Sequence, residues 1–240
     1  MHRVADGVCL LSGRPAYAIN VYLAGDVLFD TGTRWARRRI LRQVHGRNIA
    51  LVALTHCHPD HQGSAHALCT HFKAPLACHQ ADVAAVETPG LMQPRNWIIR
   101  LGERLWAGPS HRVERVLRDG DMVAGFRVVH APGHTPGHVI YFRESDRLAI
   151  AGDLLANISF LTGRVGLRQP PAFFSADPLQ NLRSIQTLWE LRPSVICLGH
   201  GPPLYGPEAL ERYVYALHAA LERPALALIP PSNGTCQVVP

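Results

Sequence analysis

Four short apolar segments of this chain each run directly into a residue that can bind a metal ion. The segments are Ile49–Leu54, Phe126–Val129, Leu148–Ala151 and Val195–Leu198, and the residues that follow them include His56, His134, Asp153 and His200. In α/β proteins, ligands collect outside the carboxyl ends of the strands. We therefore predict that these four ends meet at one edge of the fold and form a metal site there.

The richest of these ends is the segment Thr55-His56-Cys57-His58-Pro59-Asp60-His61. Residues two apart in an extended chain point the same way, and Pro59 favours an extended conformation at His58. The helix expected next turns Asp60 and His61 to the same side. One loop can then offer two imidazoles to one ion, and a carboxylate with a third imidazole to another.

The donor types at these ends favour zinc, iron or manganese over a purely structural ion. Imidazole and carboxylate suit all three metals, and the absence of thiolate donors argues against a closed structural zinc site. Cys57 alternates away from its neighbours, so we expect it to be packed in the core. The remaining histidines have no such constellation and are expected at the surface or in the core: His2, His45, His66, His71, His79, His111, His130 and His218.

Composition excludes several classes of protein. A chain of 240 residues can bury a sizeable core without disulfides, and 18% charged residues is too few for a disordered chain or a coiled coil. No apolar run approaches the roughly 18–20 residues that span a bilayer, and the first residues lack the apolar stretch of a signal peptide. The six cysteines show no CxxC spacing and are expected as reduced, mostly buried thiols. These features predict a cytoplasmic protein with no membrane partner.

The formal net charge is +6, and all but one of the 24 basic residues are arginine. Such a balance could favour anionic substrates or weak nucleic-acid contact. The arginines are scattered, however, apart from a group at 34–42 on a predicted helix, which is expected to be a solvated face. We therefore expect a small-molecule substrate rather than nucleic acid. The oligomeric state is left open, with a homodimer as one option.

Hydrophobic periodicity and breaker residues predict one α/β domain over 1–222 and a Pro-rich tail over 223–240. Helices are expected at 34–45, 61–72, 80–87, 207–222, and from Asp177 to before Pro193, the last with Leu179, Leu182, Ile185 and Trp189 facing inward. Besides the four apolar segments, strands are expected at Val8–Leu11, Ala18–Leu23, Val27–Phe29, Leu76–Cys78, 113–117, 122–130, 138–143 and 147–151. Segments 88–112 and 156–176 are expected to be irregular, either as a lid or as surface excursions.

The motifs THCHPDH, PGHTPGH, AGD and LGHGPP, spread over most of residues 15–206, resemble those of the metallo-β-lactamase-fold hydrolase superfamily. The resemblance implies an αββα four-layer sandwich of two similar halves that meet near residue 130. It implies a site for two divalent ions, with zinc expected and iron or manganese as alternatives. Carried over to this chain, His56, His58 and His134 hold the first ion, Asp60, His61 and His200 hold the second, and Asp153 bridges both. The family's buried aspartate corresponds to Asp30, which supports the site from behind, and His138 corresponds to a structural histidine.

Asp153 also reduces the number of branches of the superfamily that the chain can resemble. The antibiotic-hydrolysing branches place Cys or Ser there, whereas aspartate is similar to the glyoxalase II, lactonase and RNase Z branches. Each of these is matched only in part. His200 lies in GHGPPL with 40 residues after it, Leu154 follows Asp153 where lactonases soon place a Tyr, and the inserted domain of the nucleases does not fit in this length. The pattern favours the general hydrolases and branches like glyoxalase II.

The resemblance implies hydrolysis of an ester, lactone or thioester by metal-activated water, with Asp60 orienting that water. A phosphodiesterase or nuclease of the same fold, and an iron-dependent redox enzyme like a persulfide dioxygenase, remain alternatives. Substrate choice is expected to lie in the two irregular segments. Apolar residues there could wall a pocket or simply pack, and Arg164 or Arg168 could hold a carboxylate; the apolar candidates are Met92, Trp97, Ile98, Phe160, Leu161, Phe173 and Phe174.

Overall fold

The fold contains two sheets, each with buried side chains on both of its faces. Each sheet is therefore covered on one face by the other sheet and on the other face by helices. A computed structural model describes residues 1–222 of the chain. The first sheet is formed by β1 (His2–Ala5), β2 (Val8–Leu10), β3 (Tyr22–Ala24), β4 (Val27–Phe29), β5 (Leu51–Ala53), β6 (Leu76–His79) and β7 (Arg115–Leu117), paired in that order. Strands β4 to β7 run parallel, so their carboxyl ends lie at one edge.

The second sheet is formed by later residues. It contains β8 (Met122–Val123), β9 (Phe126–His130), β10 (Val139–Arg143), β11 (Leu148–Gly152), β14 (Val195–Leu198) and β15 (Leu204–Tyr205), paired in the order β15-β14-β11-β10-β9-β8. Strands β11 and β14 are parallel, so their ends also share an edge. A separate hairpin consists of β12 (Ala156–Ile158) and β13 (Val165–Arg168).

Among residues 1–222, seven α-helices lie on the outer faces of the sheets: α1 (Arg37–Gln43), α2 (Pro59–Gln62), α3 (Ala65–Phe72), α4 (Val83–Glu87), α5 (Trp97–Trp106), α6 (Pro178–Glu190) and α7 (Glu208–Glu222). Ile40 of α1 and Leu68 of α3 pack in one apolar cluster with the first sheet. Ile185 of α6 and Leu210 of α7 pack in another with the second sheet. A third cluster fills the space between the sheets. These three clusters separate four layers, so the αββα prediction is confirmed.

Two buried tyrosines join the sheets at the strand ends. Tyr22 of the first sheet donates its hydroxyl to the carbonyl of Leu198, the last residue of β14, at 2.8 Å. Tyr141 of the second sheet donates to the carbonyl of Leu54, just after β5, at 2.6 Å. Burial raises the pKa of both phenols, which keeps them protonated as donors. Each sheet therefore fixes the end of the other sheet's ligand-bearing strand.

Several predicted elements are corrected by the structure. The helix expected at 61–72 is broken into α2 and α3, because Thr31 donates both its N–H and its hydroxyl to the carbonyl of His61, which would otherwise continue the helix. The strand expected from Ala18 begins at Tyr22, because Asn20 donates its N–H to Gly199 in the site instead of pairing in the sheet. The strand expected at 122–130 is a tight hairpin that turns at Ala124 and Gly125, both with positive φ.

The two segments expected to be irregular both contain regular structure. Helix α5 lies within 88–112 and is capped by Asn96, whose side chain accepts hydrogen bonds from the N–H groups of Ile98 and Ile99. The hairpin of β12 and β13 lies within 156–176. In α6, Asp177 caps the helix as predicted, but Leu179 is 71% exposed and does not face inward.

The cysteine prediction is confirmed for the described residues. Cys57, Cys69, Cys78 and Cys197 are buried free thiols and Cys9 is half-buried. Cys236 and the Pro-rich tail lie outside the described residues, and the division into domains stays a prediction. Among residues 1–222, no helix combines the length and the apolar character needed to cross a membrane.

The two tyrosine hydroxyls lead to a stability prediction. Replacing Tyr141 by Phe leaves the buried carbonyl of Leu54 without this donor, which costs about 1–3 kcal/mol of unfolding free energy. Replacing Tyr22 by Phe costs less, because the carbonyl of Leu198 also accepts from the side chain of Asn20. Urea unfolding of the two variants checks this order, and equal losses, or a larger loss for Y22F, would contradict it.

Candidate metal centre

The four strand ends deliver their polar side chains to one place, as predicted. Strand β5 leads into the HxHxDH segment, β11 into Asp153, β14 into Gly199 and His200, and the loop after β9 into His134. All of the predicted ligand residues are buried except Asp60, which is half-buried. They form three overlapping groups, and within each the possible ligand atoms lie within 4.8 Å of one another: His56, His58 and His134; His56, His61 and Asp153; Asp60, His61 and His200.

Asp153 lies between the histidines of both sides. Its Oδ2 atom is 3.0 Å from Nε2 of His200 and 3.6 Å from Nε2 of His134, and its Oδ1 atom is 3.4 Å from Nε2 of His61. Asp60 approaches one side only, with its Oδ2 atom 3.3 Å from Nε2 of His200. The arrangement is therefore two groups of donors with one carboxylate between them.

The imidazoles are oriented by partners on their far sides. Nδ1 of His61 donates to the carboxylate of Asp30 at 2.9 Å, and Nε2 of His58 donates to the backbone carbonyl of Gln93 at 2.7 Å. Nδ1 of His200 donates to the carbonyl of Ala18. In the neutral form of each ring these hydrogen bonds fix the tautomer, because the nitrogen that faces the site is then the unprotonated one.

The atoms that face the common space have no hydrogen-bond partner among the described residues. They include Nε2 of His56, His61 and His134, and Oδ1 of Asp153, all of them buried. Buried polar groups normally find a partner, so orphaned lone pairs that converge on one space need an explanation. Bound cations satisfy them, and the imidazole and carboxylate donor set fits divalent zinc, iron or manganese.

The charges around the site favour bound cations. Burial lowers the pKa of His56 and His134, and neighbouring histidines lower it further, so both rings are neutral, as metal ligands must be. Burial also lowers the pKa of His200, but Asp153 and Asp60 outweigh it and raise that pKa to about 10. The carboxylates thus hold positive charge at this place.

Asp30 and His138 lie where the resemblance implied. The carboxylate of Asp30 accepts from the N–H and the hydroxyl of Thr55 as well as from His61, so it ties the start of the HxHxDH segment to one of its rings. His138 accepts the N–H of Asp153 at its Nε2 atom, at 3.1 Å. A Cβ atom at Gly152 would lie 2.7 Å from that same nitrogen, so only glycine fits before Asp153.

Of the residues expected to contact substrate, Phe160 lies at the site, whereas the contacts of Phe173, Phe174 and Arg168 lie elsewhere. The ring of Phe160 is 57% exposed and lies 4.8 Å from the ring of His200, at the site. Phe173 is 49% exposed, and its carbonyl accepts from the side chain of Asn96. Phe174 packs partly against the core of the first sheet, and the guanidinium of Arg168 bonds to carbonyls within its own hairpin.

Of the other apolar candidates, Met92 is buried in the core, Trp97 and Leu161 are exposed, and Ile98 is half-buried.

Sequence reasoning missed Asp82, which joins the two ligand-bearing loops. Its carboxylate accepts the N–H of Cys57, between His56 and His58, at 3.0 Å. It also accepts the hydroxyl of Thr135 and the N–H of Gly137, which flank His134 and His138, at 2.7 Å each. Asp82 lies within the segment expected to be a helix at 80–87, where no pattern marked it, and its side chain makes no capping hydrogen bond in the structure. Burial raises the pKa of Asp82, and these three hydrogen bonds partly offset that rise.

Asp82→Asn is expected to weaken metal binding. The asparagine side chain has one oxygen where aspartate has two. Its NH₂ group would therefore face at least one of the three donors, and that donor would lose its acceptor. Loss of such an outer partner typically lowers metal affinity about 10–100-fold, and an unsatisfied buried donor costs about 1–3 kcal/mol. Metal titration and urea unfolding measure the two effects.

Asp177→Asn is the matched control, because asparagine caps a helix about as well as aspartate. Its metal affinity and stability are expected to stay close to those of the unmodified protein. Equal metal affinity in D82N and D177N would contradict the role assigned to Asp82.

Comparison with known proteins gives a consistent result. The family model described as the metallo-beta-lactamase superfamily matches residues 14–200. A probable metallo-hydrolase of Bacillus subtilis, YybB, is 29% identical over 189 residues, which cover 78% of this chain and 81% of the relative. A hydroxyacylglutathione hydrolase of Acidiphilium cryptum is 31% identical over 156 residues, which cover 65% of this chain and 51% of the relative.

Solved structures agree with this. The crystal structure of TTHA1623 in a di-iron-bound form matches with a TM-score of 0.60 and 29% identity, covering 83% of this chain and 93% of that one.

Proposed function

The chain belongs to the metallo-beta-lactamase superfamily, and we propose that it is a hydrolase that uses two divalent metal ions to cleave an ester, lactone or thioester bond in a small molecule. The observation that carries this proposal is the position of Asp153 between two groups of histidines whose free nitrogens converge. Membership in the superfamily implies divalent metal ions and supports hydrolysis. The bond that is cleaved and the identity of the metal are the proposal.

We assign one ion to the three histidines His56, His58 and His134, and the other to Asp60, His61 and His200, with Asp153 shared. Zinc suits imidazole and carboxylate donors. Iron stays an alternative that the similar di-iron protein supports. Bound there, the ions would lower the pKa of water to about 7 and polarise a carbonyl oxygen.

Asp60 is the residue best placed to accept a hydrogen bond from the attacking water. Its side chain is 15% exposed, the most of the seven, so it lies towards the entrance. Burial raises the pKa of Asp60, but His61 and His200 outweigh burial and lower it. The group is therefore a carboxylate at neutral pH, able to accept a hydrogen bond from water and hold it in line with a carbonyl carbon.

Acyl chemistry is favoured over phosphoryl chemistry by three observations. The hydroxyacylglutathione hydrolase among the relatives acts, by its name, on an acyl compound. The exposed ring of Phe160 against His200 offers an apolar contact at the entrance, which suits the uncharged part of a small ester. In the nearby hairpin, the guanidinium of Arg168 bonds to the carbonyls of Gly166 and Arg164, so it is already partnered within its own segment.

The central test is a substrate screen of the purified protein loaded with zinc, manganese or iron. Nitrophenyl esters, lactones and S-lactoylglutathione are expected to be hydrolysed faster than bis-nitrophenyl phosphate. His134→Ala is expected to abolish the activity and to lower the bound metal, whereas His71→Ala, at an exposed histidine, changes neither. Phosphodiester cleavage above all ester activity would identify a phosphodiesterase instead, and oxygen consumption by the iron-loaded protein without hydrolysis would identify a redox enzyme.

Phe160→Ala is expected to raise KM for the best ester several-fold with a smaller change in kcat, because the ring contributes apolar contact area and no reacting group. Leu179→Ala, which removes an exposed side chain from α6, is the control and should leave both constants unchanged. Steady-state kinetics of the two variants measure the difference. An unchanged KM in F160A would remove this residue from the substrate contacts.

A further inference from the structure

Helix α5 presents apolar side chains to solvent along one stripe. Trp97 is 72% exposed, Leu101 47% and Leu105 48%, and these residues are spaced four apart on one side of the helix. The opposite side packs inward through Ile99 and lies against α2. A stripe of one Trp and two Leu in water is unfavourable unless something covers it.

The stripe continues beyond the end of the helix. Trp106 is 43% exposed, and its carbonyl accepts the N–H of Arg34, next to the 71% exposed Trp35. Three of the four tryptophans of the chain therefore lie on this surface. We call this set of residues the α5 face: Trp35, Trp97, Leu101, Leu105 and Trp106.

Positive charge borders the α5 face. Arg100 and Arg104 are exposed and lie beside the apolar stripe on the same helix, and the guanidinium of Arg34 lies 4.6 Å from the ring centre of Trp35. Glu103 is the acidic residue of α5, and its carboxylate accepts the N–H of Gly90. The face is thus apolar in the middle and cationic at its margin.

A cavity adjoins this margin. Its volume is about 260 Å³, which is room for a phosphate group, and its lining includes Arg34, Arg104, Gln62 and Ser110, with Glu103 as an acidic member. Two arginines in the lining of one cavity suit an anion such as a lipid headgroup.

Charge decides between the two simplest partners for this surface. In a symmetric dimer the face would meet its own copy, so that Arg100 and Arg104 of both chains would approach each other and repel. An anionic lipid surface instead accepts Trp and Leu among its acyl chains and pairs the arginines with headgroups. We propose that the α5 face docks the protein on membranes that contain anionic lipids.

The docking proposal revises the expectation of no membrane partner, which came from the length of the apolar runs and concerns spanning segments only. It does not depend on the hydrolase activity. Docking is nevertheless connected to the metal site, because the segment before α5 contains Gln93 and Asn96. The carbonyl of Gln93 accepts a hydrogen bond from His58, and the side chain of Asn96 donates one to the carbonyl of Phe173. Docking through α5 therefore acts on a segment that contacts the site through His58.

The test uses the full chain with two kinds of vesicle, phosphatidylcholine alone and phosphatidylcholine mixed with phosphatidylglycerol. We expect the protein to cosediment with the mixed vesicles and its tryptophan emission to shift to the blue when it binds. Added salt should weaken this binding. Replacing both Arg100 and Arg104 by Ser should weaken binding about fivefold for each arginine. Replacing Leu101 and Leu105 by Gln should weaken it roughly tenfold or more.

Matched controls come from another helix. Arg183→Ser and Leu179→Gln remove exposed side chains of the same types from α6 and should bind vesicles like the unmodified protein. Circular dichroism and metal content confirm that each variant is folded. Failure to bind the mixed vesicles, or equal binding by the α5 and α6 variants, would overturn the proposal. So would a dimer in sedimentation that only the α5 variants dissociate, since the face would then bind a second copy.

Discussion

A buried carboxylate shared by histidines from both sheets is the interaction on which the rest of this structure depends. Asp153 lies within 3.0 to 3.6 Å of nitrogens on His200, His61 and His134. Burying a carboxylate is costly unless positive charge shares the site. Metal ions, or protons in their place, must therefore accompany Asp153, so that the free energy of the fold at this edge is linked to the cations that it binds. The three apolar clusters supply the stability that allows such a polar group to be buried.

The sheets hold this edge together through reciprocal contacts. Tyr22 reaches from the first sheet to Leu198, and Tyr141 from the second sheet to Leu54. Each carbonyl lies two residues before a histidine of the site, His200 or His56. Asp82 adds a third link, between the HxHxDH loop and the loop that carries His134. The ligand positions are therefore set by hydrogen bonds that cross the molecule, because no single loop could fix donors from four strands.

The sequence predicts the parts of the site that follow from local rules. An apolar segment ending in His or Asp is a readable signal, because parallel strands bring their carboxyl ends to one edge. Asp82 was not predictable in this way, since it does not directly follow an apolar strand and its partners Thr135 and Gly137 lie 53 and 55 residues away along the chain. Helix α5 was missed because the helix-breaking residues on either side of it, Pro89, Gly90, Pro94, Gly108 and Pro109, indicated an irregular segment over the whole of 88–112. Gln93 and Ala18 act through backbone carbonyls, which leave no residue-specific trace.

The two groups of donors are not equivalent, and their outer partners make them differ. The group around His56, His58 and His134 contains neutral rings, and His58 is held by the carbonyl of Gln93 in the segment that leads to α5. The group around His61 and His200 adds the carboxylate of Asp60 and, behind His61, that of Asp30. A carboxylate behind an imidazole makes it a stronger ligand than a carbonyl does. The second group would therefore hold its ion in a more negatively charged setting, whereas in the first group one ring, that of His58, is bonded to the surface segment before α5. If α5 contacts another surface, His58 is the ligand whose orientation that contact reaches.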